Sequence, residues 1–188
     1  MPASRGDLGT WKAGEDSASA AARLEFQRWA KSLRPALVRL ACRYLWNTHD
    51  AEEIVQDAMT LAWREAGQVS DLKHRDAWLY RATINLAMNR LRRLKAGPLP
   101  PEEAIVAPPA AESQAEMDEL MQRVRMAMRE LPDRQQAAII LRDLEGLAYE
   151  WIAEVLEVSP AAARLLVHRA REAVRQILLR RWPDSFGP

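Results

Sequence analysis

Arg164, His168, Arg171 and Arg175 recur at intervals of three or four residues. On a helix that spacing gathers three guanidiniums and an imidazole on one side. Such a set can hold phosphate or grip guanine bidentately from a major groove. Trp78, Arg81, Asn85, Asn89 and Arg92 repeat at the same period. Cations there would track a nucleic-acid backbone, amides would reach exposed base edges and the indole would stack, a combination suited to single-stranded DNA. Glu53, Gln56, Asp57 and Thr60 form a third row, an acidic strip that faces water or a basic partner. Chemistry of a catalytic kind is missing: the chain shows no phosphate loop, no nucleophile elbow and no histidines paired with carboxylates at metal spacing. Cys42 is the sole thiol, and His49, His74 and His168 are scattered, which excludes a structural zinc site and a disulfide scaffold. The expectation is a protein that is not an enzyme, with no catalytic residue, no cofactor, no metal and no small-molecule substrate. Cys42 is expected to be a buried small residue rather than a redox sensor.

The elements that must carry these rows are helices throughout; no strand-like alternation appears, so the expected fold class is all-α. Leu131-Pro132-Asp133 reads as a helix entrance and Gly146 as its left-handed stop. A short helix from about Ala148 to Leu156 follows, then a turn at Glu157-Val158. Ser159-Pro160 starts the last helix with a cap followed by proline in the first turn. Leu166, Ala170, Ala173 and Ile177 fall on one side of that helix, opposite the arginines, and are expected to dock on a core. Two helices joined by a tight turn, the second so basic, describe a helix-turn-helix. Glu157 is a local misfit, since such a turn favours a residue that tolerates positive φ. In the first half, Asp50 can cap a helix whose apolar side is Ile54, Ala58 and Leu61, while Trp29, Trp46 and Trp63 are expected to pack inside.

Length and charge set the frame. The chain has 188 residues, room for one ordinary domain or two small ones, with 27 Lys+Arg against 26 Asp+Glu. Residues 24–95 hold 13 basic and 8 acidic side chains, whereas 160–182 carries six arginines and one acid, Glu172, so two basic surfaces hide inside a near-neutral total. Five of the eleven prolines lie between 98 and 109, marking a semi-extended linker. The expected division is a flexible tail at 1–23, a helical domain at 24–95, a linker at 96–115 and a second helical domain at 116–182. No apolar run approaches the ~20 residues needed to span a bilayer. Residues 1–23 lack the order of a secretory signal, so a cytoplasmic location is expected.

Leu131-Pro132-Asp133-Arg134-Gln135, Leu141-Arg142-Asp143-Leu144-Glu145-Gly146, Ile152-Ala153-Glu154-Val155-Leu156 and His168-Arg169-Ala170-Arg171 closely resemble region 4 of bacterial sigma-70-family sigma factors, of the extracytoplasmic-function (ECF) group. Asp50, Glu53, Val55, Gln56, Asp57, Ala62 and Trp63 resemble that family's region 2.2, and residues 77–94 resemble its regions 2.3 and 2.4. The resemblance implies a transcription initiation factor. Asp50, Glu53, Gln56, Asp57 and Thr60 would bind the clamp helices of the polymerase β′ subunit. Lys73 and Arg75, in the loop that forms part of the base pocket, would contact the −10 element with Trp78, Arg81, Asn85, Asn89 and Arg92. Ser159, Arg164, His168, Arg171 and Arg175 would contact the −35 element, and the same module would meet the β flap. An anti-sigma factor is a further implied partner.

The chain departs from the family at two places: Glu157 stands where glycine is usual, and Ala161-Ala162-Ala163-Arg164-Leu165-Leu166 replaces a more polar stretch. Leu165 and Leu166 offer no hydrogen bonds to bases, so base contact and a grip on phosphate alone both stand as readings of this helix. Two other functions fit the same residues: a helix-turn-helix regulator acting without polymerase, and a sigma-like interaction module that opens no promoter.

Overall fold

Trp46 takes a left-handed conformation (φ 55°) where helix α1, Ser17–Leu45, ends. Asn47 then turns the chain into α2, Thr48–Arg64, by accepting the Asp50 N–H on its side chain at 3.1 Å. The cap expected at Asp50 is therefore Asn47. Asp50 already sits inside the first turn, where its own N–H is one of those needing a partner. Helix α3, Arg75–Ala96, completes this half. The computed structural model describes residues 17–65, 74–96 and 112–186. Helix α1 begins at Ser17, inside the range expected as tail; residues 1–16 and the proline-rich 97–111 lie outside the described residues.

The chain divides into two units, Met1–Arg92 and Arg93–Pro188. In the first, α2 buries Ala51, Ile54, Val55, Ala58, Met59 and Ala62, at helical spacing, against α1, whose Leu37, Leu40, Ala41 and Tyr44 are wholly buried. Thr83 is the buried polar side chain of α3; its hydroxyl donates to the Leu79 carbonyl at 2.8 Å, so it brings no unmet hydrogen bond into the core. Phe26 stands edge-on to both Trp29 and Trp63, with centroids 5.4 and 5.1 Å apart. Each such pair contributes roughly 0.5–1.5 kcal/mol beyond its buried area. Trp29 is buried, while Trp46 and Trp63 are only half-buried. Cys42, expected to be buried, is half-exposed on α1 and free.

The second unit comprises α4 (Glu112–Arg129), α5 (Asp133–Ile139), a π-helical turn (Ile140–Leu144), α6 (Tyr149–Leu156), α7 (Pro160–Arg181) and the short α8 (Pro183–Phe186). The π turn is closed by the Glu145 N–H donating to Ile140 at 3.0 Å, and Gly146 (φ 71°) then reverses the chain. Glu157 also adopts the left-handed conformation (φ 53°, ψ 53°). Val158 N–H reaches the Ala153 carbonyl at 3.0 Å across it, the bonding of a Schellman stop. Ser159 accepts from Ala162 N–H at 3.1 Å, with Pro160 at the head of α7. Helices α4, α5 and α6 all pack on α7.

The α7 stripe that they cover is Ala163, Val167, Ala170, Val174 and Leu178. Of the four residues expected there, only Ala170 is fully buried; Leu166, Ala173 and Ile177 are half-buried. Small and β-branched side chains let α5 and α6 approach α7 closely, so the contact line settles on Ala163, Val167, Ala170 and Val174 rather than on Leu166. Among the described residues every regular element is helical, and no helix is long and apolar enough to cross a membrane.

Candidate functional site

On α2 the expected acidic row separates into two parts. Asp50 is turned inward: its Oδ1 accepts from Arg90 Nη2 of α3 at 2.7 Å, and Arg90 also lies 3.6 Å from Glu53. The hydrogen bond from Arg90 to Asp50, followed by the charge of Asp50, raises the basicity of the guanidinium above its ordinary level. Glu53, Gln56, Asp57 and Thr60 are exposed. Gln56 is approached by Arg34 Nη1 at 3.4 Å, and the Thr60 hydroxyl donates to the Gln56 carbonyl at 2.8 Å. The outward face is thus led by Glu53 and Asp57. His49, Asp50 and Glu53 bring ligand atoms within 4.8 Å of one another. Arg90 already offsets one of the two carboxylates of that cluster, which weakens its attraction for a cation.

Along α3, Trp78 and Arg81 are half-buried, and Asn85, Asn89 and Arg92 are exposed one turn apart. Arg75, expected to contact the −10 element, is engaged within its own unit. Its guanidinium lies 4.9 Å from the Trp29 ring centre and within 3.7 Å of Glu25 and 3.9 Å of Asp76. Trp29 Nε1 in turn donates to Asp76 at 2.6 Å. Arg75 therefore joins α3 to α1 through a cation–aromatic and ionic contact. Lys73 lies outside the described residues. Arg90 and the exposed Arg93 were missed by the periodic reading: Arg90 is off the row and acts through Asp50, 40 residues earlier, a contact no local spacing reveals.

Arg164, His168, Arg171 and Arg175 of α7 are all exposed, yet the three arginines are held by carboxylates of their own unit. Arg171 grips Asp143 of the π turn with Nε at 2.9 Å and Nη2 at 2.5 Å. That hydrogen bond is the main reason its basicity is raised, partly opposed by burial. Arg164 donates to Glu150 at 3.1 Å and lies 5.3 Å from the Tyr149 ring centre; Arg142 approaches the same ring at 4.6 Å. Arg175 is 3.8 Å from Glu172. Ser159 is engaged as the α7 cap.

The first unit thus presents an acidic face on α2 and an amide-and-arginine row on α3, and the second presents a capped helix-turn-helix. Two family models match the chain, Sigma-70 region 2 over residues 29–97 and Sigma-70, region 4 over residues 121–174. It is 32% identical over 153 residues to the ECF RNA polymerase sigma factor SigM of Mycobacterium tuberculosis, covering 81% of this chain and 74% of that one. Its fold is similar to CnrH, solved in complex with the cytosolic domain of CnrY (TM-score 0.60, 20% identity, 86% of this chain and 93% of that one). It is also similar to the sigma factor RpoE from Bartonella quintana, solved with the anti-sigma factor NepR (TM-score 0.56, 24% identity, 82% and 96%). The chain belongs to the ECF family of RNA polymerase sigma factors.

Proposed function

We propose that this sigma factor binds core RNA polymerase through the outward face of α2, opens the −10 element with α3 and places α7 at the −35 element. The observation that carries this reading is the exposed row Glu53, Gln56, Asp57 and Thr60, a polar and acidic face whose ties to its own unit, Arg90 at 3.6 Å from Glu53 and Arg34 at 3.4 Å from Gln56, are longer than the 2.7 Å bond that draws Asp50 inward. Such a face suits the basic clamp helices of the polymerase β′ subunit, and the second unit suits the β flap. Asn85, Asn89 and Arg92 would meet the melted strand, with Trp78 and Arg81 at the edge of the row. Two weak readers held on one polymerase gain effective concentration, so the linker need not be rigid. Neutralising about five phosphates implies a log–log salt slope near −4 to −5. The action would be cytoplasmic and non-catalytic, and an anti-sigma factor is proposed as the restraining partner because the similar sigma factor RpoE from Bartonella quintana was solved with the anti-sigma factor NepR.

The test is reconstitution with sigma-free bacterial core polymerase. Joint elution, followed by permanganate-reactive thymines near −10 on recovered promoters and run-off transcripts, is the expected result. Failure to elute together overturns the reading. DNA binding by the chain without polymerase and without opening would replace it with a simple helix-turn-helix regulator.

A further inference from the structure

The side chain that points most directly away from the core on the leading half of α7 is a leucine. Taking about 100° per residue, the buried stripe from Ala163 to Leu178 covers an arc of about 80°, and Leu165 lies about 180° from its centre. Leu165 is 48% exposed, a large apolar surface for a soluble helix. Arg164 and Arg171 lie only about 60–80° from the stripe's centre on the same wheel. That flank position explains why they reach Glu150 and Asp143 of neighbouring elements. Around Leu165, Ala161, His168 and Arg169 are also exposed. The pole of the leading half is therefore an apolar spot, Ala161 and Leu165, flanked by the His168 imidazole and the Arg169 guanidinium, with the exposed Glu172 about two turns further on at nearly the same angle.

We propose that Leu165, with Ala161 beside it, determines −35 specificity by packing on the 5-methyl group of thymine in the major groove. The inference rests on the promoter-reading role proposed above. Cationic neighbours favour a polyanionic duplex as the occupant, and phosphate contacts position the helix without carrying sequence information. The thymine methyl is the one apolar group that a base pair offers in that groove, and it is the partner a hydroxyl-free side chain can recognise. Arg164, already oriented by Glu150 and Tyr149, supplies the adjacent polar contact.

The experiment uses polymerase holoenzyme containing the full chain. Duplexes randomised around −35 are selected by binding, and the winner is resynthesised with deoxyuridine at each thymine in turn, which removes the methyl alone. At one or two neighbouring positions deoxyuridine should weaken binding about fourfold, the worth of one buried methyl-sized group. Leu165→Ala should abolish that difference, Leu165→Met should keep it, and neither should shift the melting temperature, since the side chain is exposed. A selected box without thymine, equal binding of every deoxyuridine duplex, or an undiminished deoxyuridine effect in Leu165→Ala overturns the proposal and leaves the promoter-reading role standing. If Leu165→Ala instead loses core polymerase with base preference intact, Leu165 belongs to a protein contact and the proposal also falls. A library that yields no preferred sequence overturns both.

Discussion

The acidic face of α2 and the basic face of α7 look like counterparts in the sequence, but their units use them differently. On α2 one residue of five, Asp50, is drawn inward by Arg90; the rest of the row faces out, with Glu53 3.6 Å from the same guanidinium and Asp57 leading the outward charge. On α7 all three of the expected arginines meet a carboxylate of their own unit, and the outward pole is apolar. A charged row with few internal partners is a surface held ready for another molecule. A row whose charges are internally matched fixes geometry first, and any DNA contact must compete with those pairs or extend from them. Exposed ion pairs are individually weak, about 0–1 kcal/mol, so phosphate can displace them. The bidentate Arg171–Asp143 pair is the one best placed to resist.

The sharpest way to break this contrast is to reverse charge on α2. Asp57→Arg should lower association with core polymerase by at least about tenfold, as read by competition with a second sigma factor, because like charges at a docking face oppose both encounter and register. The melting temperature should hold, since Asp57 is exposed. Asp50→Asn should behave in the opposite sense, costing about 1 kcal/mol of unit stability through the lost tie to Arg90 while weakening polymerase binding much less. Equal loss of binding from the two substitutions would erase the distinction between inward and outward carboxylates.

A smaller effect tests the other side. Arg171→Ala and Asp143→Ala should each destabilise the protein, and the double mutant should show a coupling of about 0.5–1 kcal/mol, measured by denaturant melts. Promoter binding by Arg171→Ala holoenzyme should fall no more than that of Asp143→Ala. A much larger loss in Arg171→Ala would mean that its guanidinium leaves Asp143 to hold DNA. Titration with alkali separates nothing here. The raised basicity of Arg171 gives stability that is complete below the unfolded value and is lost only as pH climbs past the still higher folded one.

Local chemistry explains which of these features were legible in the chain. The Ser159-Pro160 start and the Gly146 reversal follow from caps and φ preferences, and the structure bears them out; on α2 the 3.6-residue period places Ile54 and Ala58 in the core, whereas Leu61, expected with them, is only half-buried. The α7 stripe was misplaced by about one position, because Leu166 and Ile177 score as apolar whatever face they occupy, while tight helix contact selected Ala163 and Val167. Arg75 reads as a cation in a loop, yet its partners Trp29 and Glu25 lie some fifty residues away, beyond any local pattern. The π turn left no mark at all: nothing in the spacing of Ile140 to Leu144 signals widening by one residue, and the Arg171 that Asp143 meets lies 28 residues further on.

The smallest predicted effect concerns the two left-handed stops of the second unit. Gly146 has no neighbour within 4 Å of where a Cβ would stand, so Gly146→Ala meets only the backbone penalty and should cost about 1 kcal/mol. Glu157 already bears that penalty at φ 53°. Glu157→Gly should relieve it, less the extra entropy that glycine loses on folding, for a net gain of about 0.5 kcal/mol. In a unit of this size that corresponds to a rise of roughly 2–4 °C in melting temperature. If Glu157→Gly lowers the melting temperature, the glutamate side chain contributes more than its backbone conformation costs. The rigid turn between α6 and α7 would then depend on that side chain rather than on the Schellman bonds that cross it.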